Sequence, residues 1–345
     1  MTTEIGLGVQ TDKLPGEYAA LARVAEQYGI DVISVYSDLA YQPAIGALLE
    51  MAHATERVRL GPACLNPYTL HPYEIAGQIA LLDQASHGRA YLGLARGAWL
   101  GAIGTGDHKP VQRLDEAIAV VTRLLSGDEG GFEGGIYRLD PGVVLQYSLV
   151  RRRVPLMIGS WGRRTLELAG RVADEVKIGG SANPDVVPVA RERVEAGVLG
   201  SGRDRDAVGI VVGAVSVVDE DGEAARAFAR TEVAKYVDVV AELDPTVEFP
   251  DGLLDEIRAS VAAGDEVGAG RIIPDDLLDC FALSGTPEAV AAQVLRLFAA
   301  GASRVELGTP HGLTATGGVD LIGQRVLPLI GRPIPGAQPH TLIDT

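Results

Sequence analysis

The chain has 345 residues, and its 30 Lys and Arg against 46 Asp and Glu give a formal net charge of −16. That balance argues against non-specific nucleic-acid binding, which needs phosphate-neutralising cations, and against docking on anionic lipid. An apolar share of 47% is enough for a substantial core and argues against disorder. Glycine is frequent, 43 of 345 against a usual ~7%, without a collagen-like period, so many tight turns are the simpler reading.

The first residues, MTTEIGLGVQTDKLPGEY, carry neither a basic n-region nor an apolar h-region, so no signal peptide is expected. Strongly apolar stretches such as 209–218 fall short of the ~20 residues that span a bilayer, and no membrane partner is expected. Two distant cysteines, Cys64 and Cys280, do not suggest a disulfide framework and fit a reducing cytoplasm.

Residues 5–10 read as a strand and 15–28 as a helix; 31–36 and 43–56 repeat the pair. In the second helix Ile45, Leu48, Leu49 and Ala52 share one face at helical spacing. Strands at 58–64 and 90–95 continue the series. A Gly-rich loop, 97–108, follows the fourth strand, and 129–150 reads as an inserted hairpin. Residues 155–159 form the next strand, 163–172 a helix and 175–178 a strand. Asn183 before Pro184 marks a helix start. Residues 208–218 are a long strand, 223–240 a helix, and 245–279 a mixed, partly helical insertion. Thr286, Pro287 and Glu288 open another helix: Thr caps, Pro pre-sets φ, and Glu faces the positive end of the dipole. That helix stops at Gly301. The last strand is 303–307 and the last helix 318–330, and the tail from Arg332 is rich in Pro and expected to be extended.

The strands are short apolar runs rather than alternating ones, as a parallel sheet covered on both faces requires. About eight βα units predict the α/β class and a (β/α)8 TIM barrel, with insertions after strands 4 and 7, as one domain over 1–331 with a tail at 332–345. In that fold chemistry sits where strands end. Gly6-x-Gly8 is no dinucleotide fingerprint, because Thr11 stands at the third glycine and the glycines lie inside the strand. There is no Walker A sequence, no HExxH and no G-x-S-x-G elbow, and the six His are scattered, so no metal is expected.

The turn Gly159-Ser160-Trp161-Gly162-Arg163-Arg164 joins a strand to a helix start, where free N–H groups and the dipole favour an anion. Two Arg add charge there. The alternative is a plain Gly-rich turn with surface Arg, and Gly308-Thr309-Pro310-His311-Gly312 is a rival anion site. Asp38 ends the second strand and could handle a proton or orient substrate, or could be a loop or capping Asp. Asn66-Pro67-Tyr68-Thr69-Leu70-His71-Pro72 is a stiff polar and aromatic loop suited to a pre-organised wall. Gln10, Tyr36, Tyr68 and His311 stand at strand ends as candidate substrate contacts. Arg151–Arg153 precedes a strand, at the opposite end, and reads as a structural or solvated run.

These segments resemble the luciferase-like superfamily of TIM-barrel flavin and deazaflavin enzymes, and within it the coenzyme F420-dependent methylenetetrahydromethanopterin reductases. The carrying residues are Gly29-Ile-Asp31, Arg59-Leu-Gly-Pro62 with Asn66-Pro-Tyr68, Gly88-Arg-Ala90 with Leu92-Gly93, Ile158-Gly-Ser-Trp-Gly162, Ser284-Gly-Thr-Pro287 and Leu321-Ile-Gly323, in order over nearly the whole chain. The resemblance implies hydride transfer at C5 of coenzyme F420 with a small organic substrate such as a methylene-tetrahydromethanopterin-like C1 carrier; the alternatives are an FMN-dependent monooxygenase on the same barrel and a non-catalytic deazaflavin-binding protein. It implies a non-prolyl cis peptide at Ala63 and Cys64 behind the ring, phosphate held by Gly159, Ser160, Trp161, Gly162 and Arg163, and Ala95, Arg96 and Gly97 flanking the cofactor. Asn66 and Lys177 join that set, Asp38 is the candidate catalytic group, and a homodimer is implied. Two departures stand out: Ser37-Asp38-Leu39 lacks the usual His after the second strand, and Gly8 replaces an acidic residue.

Overall fold

A computed structural model describes residues 3–105, 108–314 and 316–332. Its main strands are β1 (Glu4–Val9), β2 (Val32–Val35), β3 (Arg59–Pro62) and β4 (Leu92–Ala95), then the short pair β5 (Phe132–Glu133) and β6 (Arg138–Leu139). They are followed by β7 (Leu156–Gly159), β8 (Glu175–Gly179), β9 (Gly209–Val218), β10 (Ala282–Gly285) and β11 (Arg304–His311). Eight of them run parallel in the order β3-β2-β1-β11-β9-β8-β7-β4. Bridges between Leu60 and Ala90 and between Leu65 and Leu94 bring β3 back to β4 and close the ring. The expected TIM barrel is therefore present, with helices outside it.

Those helices are α1 (Glu17–Tyr28), α2 (Ala44–Ala54), α3 (Pro72–Ala85), α4 (Pro110–Ser126), α5 (Arg163–Val172), α6 (Val186–Ser201), α7 (Gly222–Ala234), α8 (Val237–Val240), α9 (Leu253–Ala262), α10 (Glu266–Arg271), α11 (Asp275–Phe281), α12 (Pro287–Ala299) and α13 (Gly317–Leu321). The expected cap of α12 is present: the Thr286 side chain accepts from the Ala289 N–H, 3.3 Å away. No described helix is long and apolar enough to cross a membrane.

Both insertions lie where the pattern put them. Antiparallel β5 and β6 form the hairpin after strand 4. After β9, helices α8 to α11 surround a separate apolar cluster built on Val237, Ile257, Leu278 and Phe281. The predicted helix 223–240 is broken there, because Tyr236 leaves helical geometry and puts its hydroxyl on the Phe281 carbonyl. β10, which the pattern reading missed, pairs with the far end of β9, outside the ring. It follows α11 directly, with no loop between them to mark where a strand starts. The predicted tail lies outside the described residues apart from Arg332.

The strands alternate more than their apolar look suggests. In β1, Ile5, Leu7 and Val9 pack with the helices in the main core. Glu4, Gly6 and Gly8 face the axis: a Cβ on Gly6 would come within 2.8 Å of the Glu306 side chain. Val32, Tyr91, Met157 and Val211 form a small separate cluster inside the ring. Many glycines are thus axis-facing residues that clear room for long side chains, rather than turn residues alone.

The lower end of the barrel is closed by charge. Arg304 lies 3.0 Å from Glu175 and Arg59 pairs with Glu4, each being the first residue of its strand. Below the seam Arg151 makes a 2.7 Å ion pair with buried Asp83, so the 151–153 run is structural at that residue.

The β3–β4 seam yields a test. A Cβ on Gly93 would stand 2.0 Å from the Pro62 carbonyl oxygen, which is backbone and cannot swing away. Gly93→Ala should cost about 1–3 kcal/mol or more in urea unfolding. Gly46→Ala, in α2 with nothing within 4 Å, should instead be neutral or stabilising by about 0.5–1 kcal/mol.

Candidate active site

The site is the upper mouth of the barrel, where the C-terminal ends of the parallel strands meet. Its deepest member is Glu306, fully buried on β11. Its carboxylate takes the Lys177 ammonium of β8, a 2.7 Å hydrogen bond from the Ser34 hydroxyl of β2, and the Arg304 guanidinium at 3.1 Å. Ser34 in turn lies 2.6 Å from the Tyr91 hydroxyl. Burial pushes the Glu306 carboxyl up, but the Lys177 and Arg304 charges outweigh it and hold it below its ordinary value. Three strands are thus tied across the axis by one carboxylate.

Above this cluster the chain after β3 makes the wall. The Ala63–Cys64 bond is cis, as the resemblance implied. A Cβ on Gly159, at the end of β7, would lie 3.0 Å from the Cys64 sulfur and 3.4 Å from the Ala95 Cβ, so three strand ends meet closely here. Burial pushes the Cys64 thiol up to about 12, against a smaller opposing pull from Lys177. The thiol is neutral at physiological pH and serves as surface, not nucleophile. Gly179, ending β8, would meet nothing within 4 Å if it carried a Cβ, so the space above it is open.

A second group sits between β1 and β11. Gln10 donates to Asp38 at 2.9 Å, and its own N–H bonds the Thr309 hydroxyl at 3.0 Å. Asp38 is thereby brought to the mouth beside Gln10. His311 corrects an expectation. It is 2% exposed, and its ring nitrogen lies 3.1 Å from the Gly8 carbonyl. Burial depresses it to about 4, so it is a neutral imidazole that holds β1 to β11, not a group presented to substrate.

The Gly159–Arg164 turn leads into α5, whose N-cap, Gly162, provides no capping side chain. Trp161 is spent on the fold, because its indole N–H donates to the Gly179 carbonyl at 3.0 Å. The Arg163 side chain turns along the helix to Glu167, 3.0 Å away, so the cation expected from Arg163 is already paired. Exposed Arg164 makes no ion pair among the described residues. Asn66 is likewise committed: its Oδ1 accepts from the N–H groups of Tyr68 and Thr69 at 3.1 and 2.9 Å. It stiffens the loop and packs near Gly97, where a Cβ would meet it at 3.1 Å. Tyr68 stacks under the Arg113 guanidinium at 4.6 Å, and Arg96 is exposed on the loop beyond β4.

Sequence reasoning named Tyr36, Asp38 and Lys177, the last as a cofactor contact although its ammonium is buried on Glu306, and missed Glu306, Arg304, Ser34 and Tyr91. A signal existed. Arg304-Val-Glu306 puts two charges on one face of an otherwise apolar strand, which is legible only if charge is allowed inside a barrel.

The arrangement is a TIM-barrel mouth with glycines at several strand ends, a cis Ala63–Cys64 bond and an α5 start without a capping side chain. Comparison with known proteins agrees. Residues 1–304 match the family described as luciferase-like monooxygenase. A 5,10-methylenetetrahydromethanopterin reductase of Archaeoglobus fulgidus is 31% identical over 316 residues, 89% of this chain and 93% of the relative. An F420-dependent glucose-6-phosphate dehydrogenase of Nakamurella multipartita is 33% identical over 46% of this chain and 51% of the relative. The solved coenzyme F420-dependent tetrahydromethanopterin reductase of Methanopyrus kandleri superposes with a TM-score of 0.87 at 26% identity, covering 95% of this chain and 99% of the other. The chain belongs to the luciferase-like monooxygenase family.

Two tests follow. Glu306→Gln leaves Lys177 buried beside a neutral group and should cost about 3–5 kcal/mol at pH 7 in urea unfolding. Because the folded carboxyl lies below the ordinary 4.5, its stabilisation is complete above pH 4.5 and is lost as pH falls through the lower folded value. The gap between wild type and variant should therefore narrow below pH 4.5. Separately, Cys64 should not react with Ellman's reagent at pH 7 until the protein unfolds.

Proposed function

We propose that this enzyme is a coenzyme F420-dependent oxidoreductase that moves a hydride between the deazaflavin and an electrophilic carbon of a small organic substrate. The observation that carries the reading is the cis Ala63–Cys64 wall, bordered by Gly159 and Ala95, in a chain whose near full-length relatives are F420-dependent reductases. The residues fit the coenzyme's shape and charge. A planar ring needs a smooth wall and bare backbone nearby, which Ala63, Cys64, Gly159 and Gly179 provide. Its phosphate needs N–H donors, which the uncapped α5 start provides with Arg164 close by.

When bound, the coenzyme supplies the hydride at its C5. The chain's part is positional: to hold the reacting carbon ~3–3.5 Å from the donor and to exclude water. The backbone at Ala63 and Cys64 sets the ring plane. Asn66 stiffens the adjoining loop. Gln10 and Asp38 present an amide and a carboxylate beside it for orienting substrate. By analogy with the methanopterin reductases, the substrate is a methylene-tetrahydromethanopterin-like C1 carrier. The acting unit is one barrel over 1–331, a homodimer by resemblance, working in the reducing cytoplasm that two free thiols suit.

Mixing the protein with F420 and following deazaflavin fluorescence tests the reading. Saturable quenching is expected, and tight FMN binding without deazaflavin binding would overturn it. Arg164→Glu places a negative charge beside the phosphate and should weaken F420 binding about tenfold, or 1.4 kcal/mol, without changing the melting temperature.

A further inference from the structure

Tyr36 follows directly on β2 and turns its phenol across the mouth. A Cβ on Gly8 would lie 2.0 Å from the Tyr36 hydroxyl, and one on Gly308 would lie 2.6 Å from it. The phenol tip therefore rests on the bare backbone of β1 and β11, and position 8 must be glycine for it to lie there. The Lys177 ammonium sits 5.2 Å from the Tyr36 ring centroid and is itself fixed by Glu306.

The hydroxyl is set apart from its neighbours. Tyr18 bonds Gln42, Tyr28 bonds Asp320, Tyr91 bonds Ser34, Tyr137 bonds the Pro67 carbonyl and Tyr236 bonds the Phe281 carbonyl. Tyr36 is only partly exposed, yet its hydroxyl has no hydrogen bond among the described residues. A phenol at a site mouth with its one polar atom unspent is free to meet a ligand. Burial, with Glu306 and Asp38 adding to it, keeps the phenol protonated, so it is a donor rather than a base.

The geometry points to Tyr36 as the catalytic proton donor to the heteroatom joined to the reacting carbon of the substrate, a carbonyl oxygen or an aminal nitrogen. This rests on the F420 reading above. In the step, the Tyr36 O–H bond breaks and an O–H or N–H bond forms on the substrate. The electron pair for that bond comes from the carbonyl π bond, or from the C–N bond that opens. The carbon so exposed takes the hydride pair as its new C–H bond. The phenolate left behind, its ring 5.2 Å from the Lys177 ammonium, regains a proton from water after product leaves.

The test uses Tyr36→Phe, which keeps the ring, with reduced F420 as donor and methylenetetrahydromethanopterin and acetone as the two acceptors. General acid catalysis predicts a loss of about 10²–10⁴-fold in kcat on whichever acceptor the wild type reduces. F420 affinity by fluorescence and the melting temperature should be unchanged, and a solvent isotope effect on the wild-type hydride step should vanish in the variant. The acceptor that responds distinguishes oxygen from nitrogen. Turnover within twofold of wild type, a fall in F420 affinity that accounts for the loss, or wild-type reduction of neither acceptor overturns the assignment. If F420 itself fails to bind the wild type, the cofactor reading fails first.

Discussion

A carboxylate buried inside a barrel is the constraint on which the upper half of this molecule depends. Glu306 has no exposure to water, so its charge must be met by protein. Lys177 and Arg304 do so, with Ser34 adding a hydrogen bond. Because those partners come from β8, β11 and β2, meeting the charge also fixes how these strands face one another across the axis.

Long side chains cannot share a barrel axis with one another without gaps beside them. Gly6, Gly8, Gly213 and Gly308 leave that room, each lying where a Cβ would press on Glu306 or Tyr36. The same bare backbone then borders the mouth. Packing inside the barrel and the shape of its mouth are thus coupled through the same glycines. A lower ring of Arg59, Glu4, Glu175 and Arg304 closes the other end, so the mouth is the end left for a ligand.

The sheet face and the loops divide the labour. Gln10, Asp38 and Tyr36 bring polar atoms to the mouth, while His311, Asn66 and Trp161 use theirs to hold backbone in place. A residue type at a strand end is therefore a poor guide to its role. Tyr36 and His311 show the difference most sharply: the His311 ring already has the Gly8 carbonyl as a partner, whereas the Tyr36 hydroxyl is left unspent.

The strand–helix rhythm, the insertions after strands 4 and 7, the α12 cap and the strand-to-helix turn at Gly159–Arg164 were all legible from the sequence, because periodicity, capping and turn chemistry are local. The match of Ala63 and Cys64 to a cis bond was legible through resemblance. β10 was not, since it follows α11 with no loop between them to mark its start. Nor was the pairing of Lys177 with Glu306, 129 residues apart, or the seating of Tyr36 on Gly8. Those depend on strand order and on which face each side chain takes. Local propensity says that a residue lies in a strand, but only closure of the barrel decides what stands opposite it, and that opposition is where the buried charge, the glycines and the free phenol acquire their meaning.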